Sequence, residues 1–135
     1  GHRRARTSPH FARRLELLPD RYAVVERALL DRDFETFGGA MEAEAIELHM
    51  IAMTSTPAIY YWQLATLEIL EAVRHLRSDG VPAYATMDAG ANVHVICQAA
   101  DEPAVAARLG ELGGVEGIIR DRVGEGPRRL DEHLF

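Results

Sequence analysis

Val81-Pro82-Ala83-Tyr84-Ala85-Thr86-Met87-Asp88-Ala89-Gly90-Ala91-Asn92-Val93-His94-Val95-Ile96-Cys97 is where the periodicity of this chain changes. On either side of Asp88-Ala89-Gly90-Ala91, residues 81–87 and 92–97 are short runs rich in β-forming residues. Two such runs around a turn of aspartate, glycine and alanine read as a β-hairpin. Everything ahead of the hairpin has helical spacing instead. Leu15, Leu18, Tyr22, Val25 and Leu29 step by 3, 4, 3 and 4 residues, with a break expected at Pro19-Asp20 before a longer helix from about Asp20 to Asp31. Asp33 is placed to cap a second helix whose apolar stripe runs through Phe34, Phe37, Met41, Ala45, Leu48 and Ile51, up to Thr54-Ser55-Thr56-Pro57.

A third helix carries Trp62, Ala65, Ile69, Val73 and Leu76 and stops at Gly80. Leu67 and Leu70 widen its apolar arc, which predicts burial on more than one side. After the hairpin, Asp101-Glu102-Pro103 opens a helix that ends at Gly113-Gly114. Residues 115–123, with Ile118 and Ile119, predict a third strand, and residues 128–130 an edge strand. Helices followed by β-β-α-β define an α+β domain with helices packed on one face of a small antiparallel sheet. Residues 1–10 form a basic, aperiodic segment whose opening Gly-His resembles a cloning remnant, and residues 11–135 form the single domain.

Composition narrows the classes of function. At 135 residues, with 47% apolar and 27% charged residues, the chain has the make-up of one globular domain. No apolar run approaches the roughly 20 residues of a membrane span, and a net charge of −6 argues against broad nucleic-acid binding. Cys97 is the one cysteine, which excludes an internal disulfide and fits a reducing cytoplasm. Lysine is absent, so Schiff-base chemistry and a P-loop lysine cannot come from this chain.

Several clusters invite a chemical reading. Glu42, Glu44, Glu47 and His49 crowd one helix, but a ferritin-type site needs Glu-x-x-His, and Ile46 stands three residues before His49. A solvated acidic face and a hydrogen-bonded structural histidine are the expectation, with no metal site. Met41, Met50, Met53 and Met87 read as gap-fillers in a core, and Cys97 as a buried, inert thiol. Gly124-Glu125-Gly126-Pro127 lacks the strand-glycine-helix context of a dinucleotide fingerprint and reads as a turn. Asp88 differs from these. It ends a strand, and Ala89, Gly90 and Ala91 after it add almost no bulk, so a ligand can approach the backbone amides. A carboxylate held there can act as a base or orient a hydroxyl. Aspartate and glycine are also ordinary turn formers.

These residues also carry a resemblance. Tyr84-Ala85-Thr86-Met87-Asp88-Ala89-Gly90-Ala91-Asn92 resembles the T-x-D-A-G-P-N signature of the diphosphomevalonate decarboxylases, members of the GHMM superfamily of small-molecule kinases. Thr7-Ser8-Pro9-His10-Phe11, Asp31-Arg32-Asp33-Phe34 with Gly38, Leu48-His49-Met50 and Pro57-Ala58-Ile59-Tyr60-Tyr61-Trp62 resemble further elements of that family in the same order. Ala91 stands where the family has proline, and Leu48-His49-Met50 where it has Met-His-Ala. The resemblance implies a GHMM C-terminal, ferredoxin-like domain and ATP-dependent decarboxylation of a mevalonate phosphate. Asp88 would be the essential aspartate, with Ala89, Gly90 and Asn92 on the substrate-proximal turn. It further implies ATP and Mg²⁺ bound mainly by an N-terminal GHMM domain that this chain lacks. A homodimer in the cytoplasm is implied as well. A phosphomevalonate decarboxylase, or a non-catalytic α+β binding module, would share much of this sequence.

Overall fold

In a computed structural model the structure describes residues 2–126. Its elements are α1 (His2–Ala5), α2 (Phe11–Asp31), α3 (Phe34–Met53), α4 (Leu64–Ser78), β1 (Ala83–Thr86), β2 (His94–Cys97) and α5 (Glu102–Gly110). The α+β architecture follows the sequence reading: helices pack on a small antiparallel sheet formed by β1 and β2. Ala83 lies opposite Cys97, Tyr84 opposite Ile96, Ala85 opposite Val95 and Thr86 opposite His94.

The core sits between the sheet and two helices. Ala72, Val73 and Leu76 of α4, Ala83 and Ala85 of β1, and Val105 and Leu109 of α5 bury one another, with Ile69, Val95 and Cys97 at the margin. Successive strand residues alternate in direction. Tyr84 therefore turns away from that cluster and packs on α3, its ring 5.6 Å from Phe34 in an edge-on arrangement. Gly38 makes this possible, because a Cβ there would stand only 2.1 Å from a Tyr84 ring carbon. Gly114 meets a similar limit against α4, where a Cβ would stand 2.7 Å from that of Ala65.

Four local expectations are corrected. The break at Pro19 does not occur: α2 runs unbroken through Pro19, whose ring lies on the exposed side. The lost hydrogen bond is there open to water, and the packing of α2 on α3 holds the helix on both sides of it. The third helix begins at Leu64, two residues after Trp62, because Gln63 and Thr66 form a reciprocal capping box. It is buried along one face, with Leu67 50% exposed. Residues 115–123 form no strand: Ile119 is 95% and Val123 100% exposed, and β propensity without a neighbouring strand does not make one. The edge strand expected at 128–130 lies outside the described residues.

The junction between α2 and α3 follows from sequence chemistry. Arg32 takes a left-handed φ of 57° at the end of α2, and the Asp33 amide donates to Ala28 at 2.9 Å. Asp33 then caps α3, accepting from the Thr36 amide at 3.0 Å and the Thr36 hydroxyl at 2.6 Å, and these bonds hold its carboxyl below the usual range. The segment ahead of α2 is tied to the far end of α3. The Ser8 and Thr54 hydroxyls share a 2.7 Å hydrogen bond, and the Thr56 amide donates to the Thr7 hydroxyl at 2.6 Å.

Candidate active site

The hairpin brings Asp88, Ala89, Gly90 and Asn92 together on one exposed loop, 88–92, between β1 and β2. Met87 immediately before it is buried, 3% exposed, so the strand is anchored up to the residue before the carboxylate. Asp88 thus projects from the end of a packed strand into solvent, next to three residues without bulk. Such a site can accept a hydrogen bond or a proton from a hydroxyl that approaches the loop.

The acidic cluster on α3 is not a solvated face. Glu44 and Glu47 meet Arg14 and Arg21 of α2: Arg21 donates to Glu44 at 3.0 Å and to Glu47 at 2.8 Å, and Arg14 pairs with Glu44. A second nitrogen of Arg14, buried and without a hydrogen bond among the described residues, lies 3.8 Å from Glu47. Burial pulls the Glu44 carboxyl up, but the hydrogen bonds and charges of Arg14 and Arg21 outweigh it and leave it below its ordinary value. Glu42 pairs with Arg77 of α4. Amphipathic periodicity cannot show this, because the arginines that neutralise α3 lie 23 to 35 residues away in sequence. Among the described residues no group of histidine, cysteine and carboxylates gathers as a metal site.

His49 is buried, 2% exposed, and stacks edge-on against Tyr61 at 5.8 Å and obliquely against Trp62 at 5.6 Å. It is buried among aromatic rings, but the hydrogen bond expected of it is not formed at Nε2, which, like Trp62 Nε1, is buried with no hydrogen-bond partner among the described residues. Trp62 therefore closes the 57–63 connection onto α3. Burial, then Asp101 and Glu102, push the Cys97 thiol up, away from a nucleophilic thiolate.

Three helix starts among the described residues are already occupied. The N-terminus of α5 carries Asp101 and Glu102, that of α3 carries Asp33 and Glu35, and that of α4 is closed by its own capping box. At the start of α2, Arg13 is paired with Glu16 and Arg14 with Glu44. The start of α2 itself has no capping side chain and no acid in its first turn.

An exposed carboxylate on the loop of a two-stranded hairpin, braced by helices, defines a domain of the α+β class. Residues 2–113 match the family model described as the mevalonate 5-diphosphate decarboxylase C-terminal domain, and the chain belongs to that family. A diphosphomevalonate decarboxylase of Candida albicans is 27% identical over 146 residues, covering 95% of this chain and 40% of that protein. A phosphomevalonate decarboxylase of Haloferax volcanii is 32% identical over 95 residues, 70% of this chain and 29% of its own length. Among solved structures, the mevalonate diphosphate decarboxylase of Enterococcus faecalis, described for mevalonate diphosphate mediated ATP binding, superposes with a TM-score of 0.78 at 29% identity, over 83% of this chain and 35% of that one. The enzyme designated MDDEF, in complex with MVAPP, AMPPCP and magnesium, gives 0.77 at 30% identity, over 80% of this chain and 33% of its own. The chain thus spans well under half the length of these relatives.

Proposed function

We propose that this domain supplies the Asp88 carboxylate to an ATP-dependent mevalonate diphosphate decarboxylase that forms isopentenyl diphosphate. Membership of the decarboxylase C-terminal family supports the reaction class, and the placement of Asp88 at the exposed end of an anchored strand supports its role. The substrate alcohol is tertiary and a poor nucleophile, so a carboxylate that orients its hydrogen and accepts the proton serves the phosphoryl transfer. Ala89, Gly90 and Asn92 leave room for substrate beside it. ATP supplies the phosphoryl group whose loss accompanies that of CO₂. We assign ATP and Mg²⁺ mainly to an N-terminal domain outside this sequence, in keeping with the chain's span of well under half the length of its relatives. We assign the enzyme to the cytoplasm, as a homodimer.

A phosphomevalonate decarboxylase is the second reading, favoured by the Haloferax relative. The choice between one and two phosphates is assigned to basic residues beyond this domain. Asp88→Asn in the complete enzyme carrying this domain tests the role: kcat should fall about 10²–10⁴-fold with KM and Tm nearly unchanged. Near-normal kcat would make Asp88 a turn former. Activity of the complete enzyme on neither mevalonate phosphate would make this a binding module.

A further inference from the structure

β1 has two edges, and among the described residues a strand covers one of them. On the other, its backbone groups meet side chains. The Ala85 amide donates to Glu42 Oε2 at 2.8 Å, and the Ala83 carbonyl accepts from Arg77 Nη1 at 2.6 Å. Glu42 comes from α3 and Arg77 from α4, and the two are joined by paired hydrogen bonds of 3.0 and 2.7 Å. The Arg77 guanidinium also lies 4.9 Å from the centre of the Tyr84 ring, which Gly38 admits from below. A donor and an acceptor, spaced to serve residues two apart on one strand edge, are what a neighbouring strand would present.

An ion pair that merely joins two helices needs neither backbone group. Here Glu42 Oε2 and Arg77 Nη1 each have two partners, one of them on β1. Three residues beyond Ala85, and two past the end of β1, stands Asp88. Thr86 is paired across to His94 and Met87 is buried, so little slack separates the held strand from the carboxylate.

We propose that Glu42 and Arg77 are positioning residues for Asp88: they act in place of a neighbouring strand, lock β1 at Ala83 and Ala85, and so set where the Asp88 carboxylate stands. The catalytic consequence rests on the reading of Asp88 given above, whereas the strand-edge role does not. Misplacement by about 1 Å is enough to cost up to roughly 10²-fold in rate, so the pair matters to chemistry without touching substrate.

The strand-edge role makes an unusual demand on a charge swap. For a plain interhelical salt bridge, Glu42→Arg with Arg77→Glu restores the pair. Here the swap would set a donor against the Ala85 amide and an acceptor against the Ala83 carbonyl, so it must fail. Amide hydrogen exchange on this chain, with the α4 amides of Ala72 and Val73 as a gauge of global opening, reads this directly. Glu42→Ala and the double swap should speed exchange at Ala85 at least about tenfold relative to that gauge, and shift the amide resonances of Asp88, Ala89 and Gly90. Glu42→Gln, which keeps an oxygen for Ala85, should restore most of the protection and covers the case in which Glu42→Ala fails to fold.

In the complete enzyme Glu42→Ala should lower kcat about tenfold or more at similar KM, and should add nothing on top of Asp88→Asn. Protection of Ala85 in the double swap would reduce the pair to an interhelical bridge and overturn the proposal. Unmoved Asp88–Gly90 resonances in Glu42→Ala, or full additivity with Asp88→Asn, would do the same for positioning. A complete wild-type protein without decarboxylase activity would defeat the functional reading alone, because the exchange results on this chain would still decide the strand-edge role.

Discussion

The seam between α4, α5 and the sheet, and the seam between α2 and α3, hold this domain by different means. The first is apolar and dry: Val73, Ala83 and Ala85 are fully buried there, and Leu76 and Leu109 nearly so. The second is charged, with Arg14 and Arg21 set against Glu44 and Glu47, while Leu15, Tyr22 and Leu29 along α2 remain 51–76% exposed. Burial removes apolar surface from water whatever the salt or pH. An ionic seam depends on both. The difference teaches that the strand leading to Asp88 is held by packing on one face and by the Glu42–Arg77 pair along its edge, and the α2 end by compensated charge.

The largest expected effect falls on the packed seam. Leu76→Ala should destabilise the chain by about 2–5 kcal/mol, read as a lower midpoint in urea unfolding. A loss below about 1 kcal/mol would mean that the seam repacks and is not the stronger of the two. Gly38→Ala comes next. Its Cβ would clash with the Tyr84 ring, and an overpacking cost of about 1–3 kcal/mol should exceed the ~1 kcal/mol gained by replacing a helical glycine. A stabilised variant would show that Tyr84 moves freely and that α3 does not brace β1.

The charged seam should respond more weakly and to different variables. Glu44 has its pKa lowered on folding, so its contribution is fully present above the ordinary glutamate pKa of about 4.3 and is lost as pH falls through the lower folded value. Because its side chain is 35% exposed, screening holds this contribution to the order of 1 kcal/mol. Melting curves of the parent and Glu44→Gln should therefore differ at neutral pH and low salt, and converge in acid and in high salt. A pH-independent gap would assign the effect to packing. Leu29→Ser, on the exposed side of α2, should change stability by less than about 0.5 kcal/mol in either direction. A larger loss would reveal an apolar contact at the α2 seam.

Calorimetric titration of this chain with Mg-ATP should show no saturable heat, and a micromolar affinity would place the nucleotide here.

Much of this arrangement is legible in the amino-acid sequence. Alternating runs around Asp88-Ala89-Gly90-Ala91 announced the hairpin, and helical spacing announced α2, α3 and α4, because these signals live within a few residues. Asp33 as a cap and Asp88 as the loop carboxylate were readable for the same reason. The readings that failed lay where a distant partner decides. Pro19 stays helical because α2 lies along α3. Residues 115–123 are not a strand because no strand edge among the described residues receives them. The acid cluster on α3 is half-buried because arginines from α2 and α4 reach it.

Sequence by itself determined the element types, the capped helix starts and the motif that sets the family, since each depends on local backbone chemistry or on an ordered set of short motifs. Tertiary structure decided which charges are neutralised, that Gly38 must lack a Cβ, and that β1 is held on its open edge by side chains from two helices. Those properties depend on approach in space between residues 43 and 46 positions apart, such as Glu42 with Ala85 and Gly38 with Tyr84, and no local periodicity records that approach.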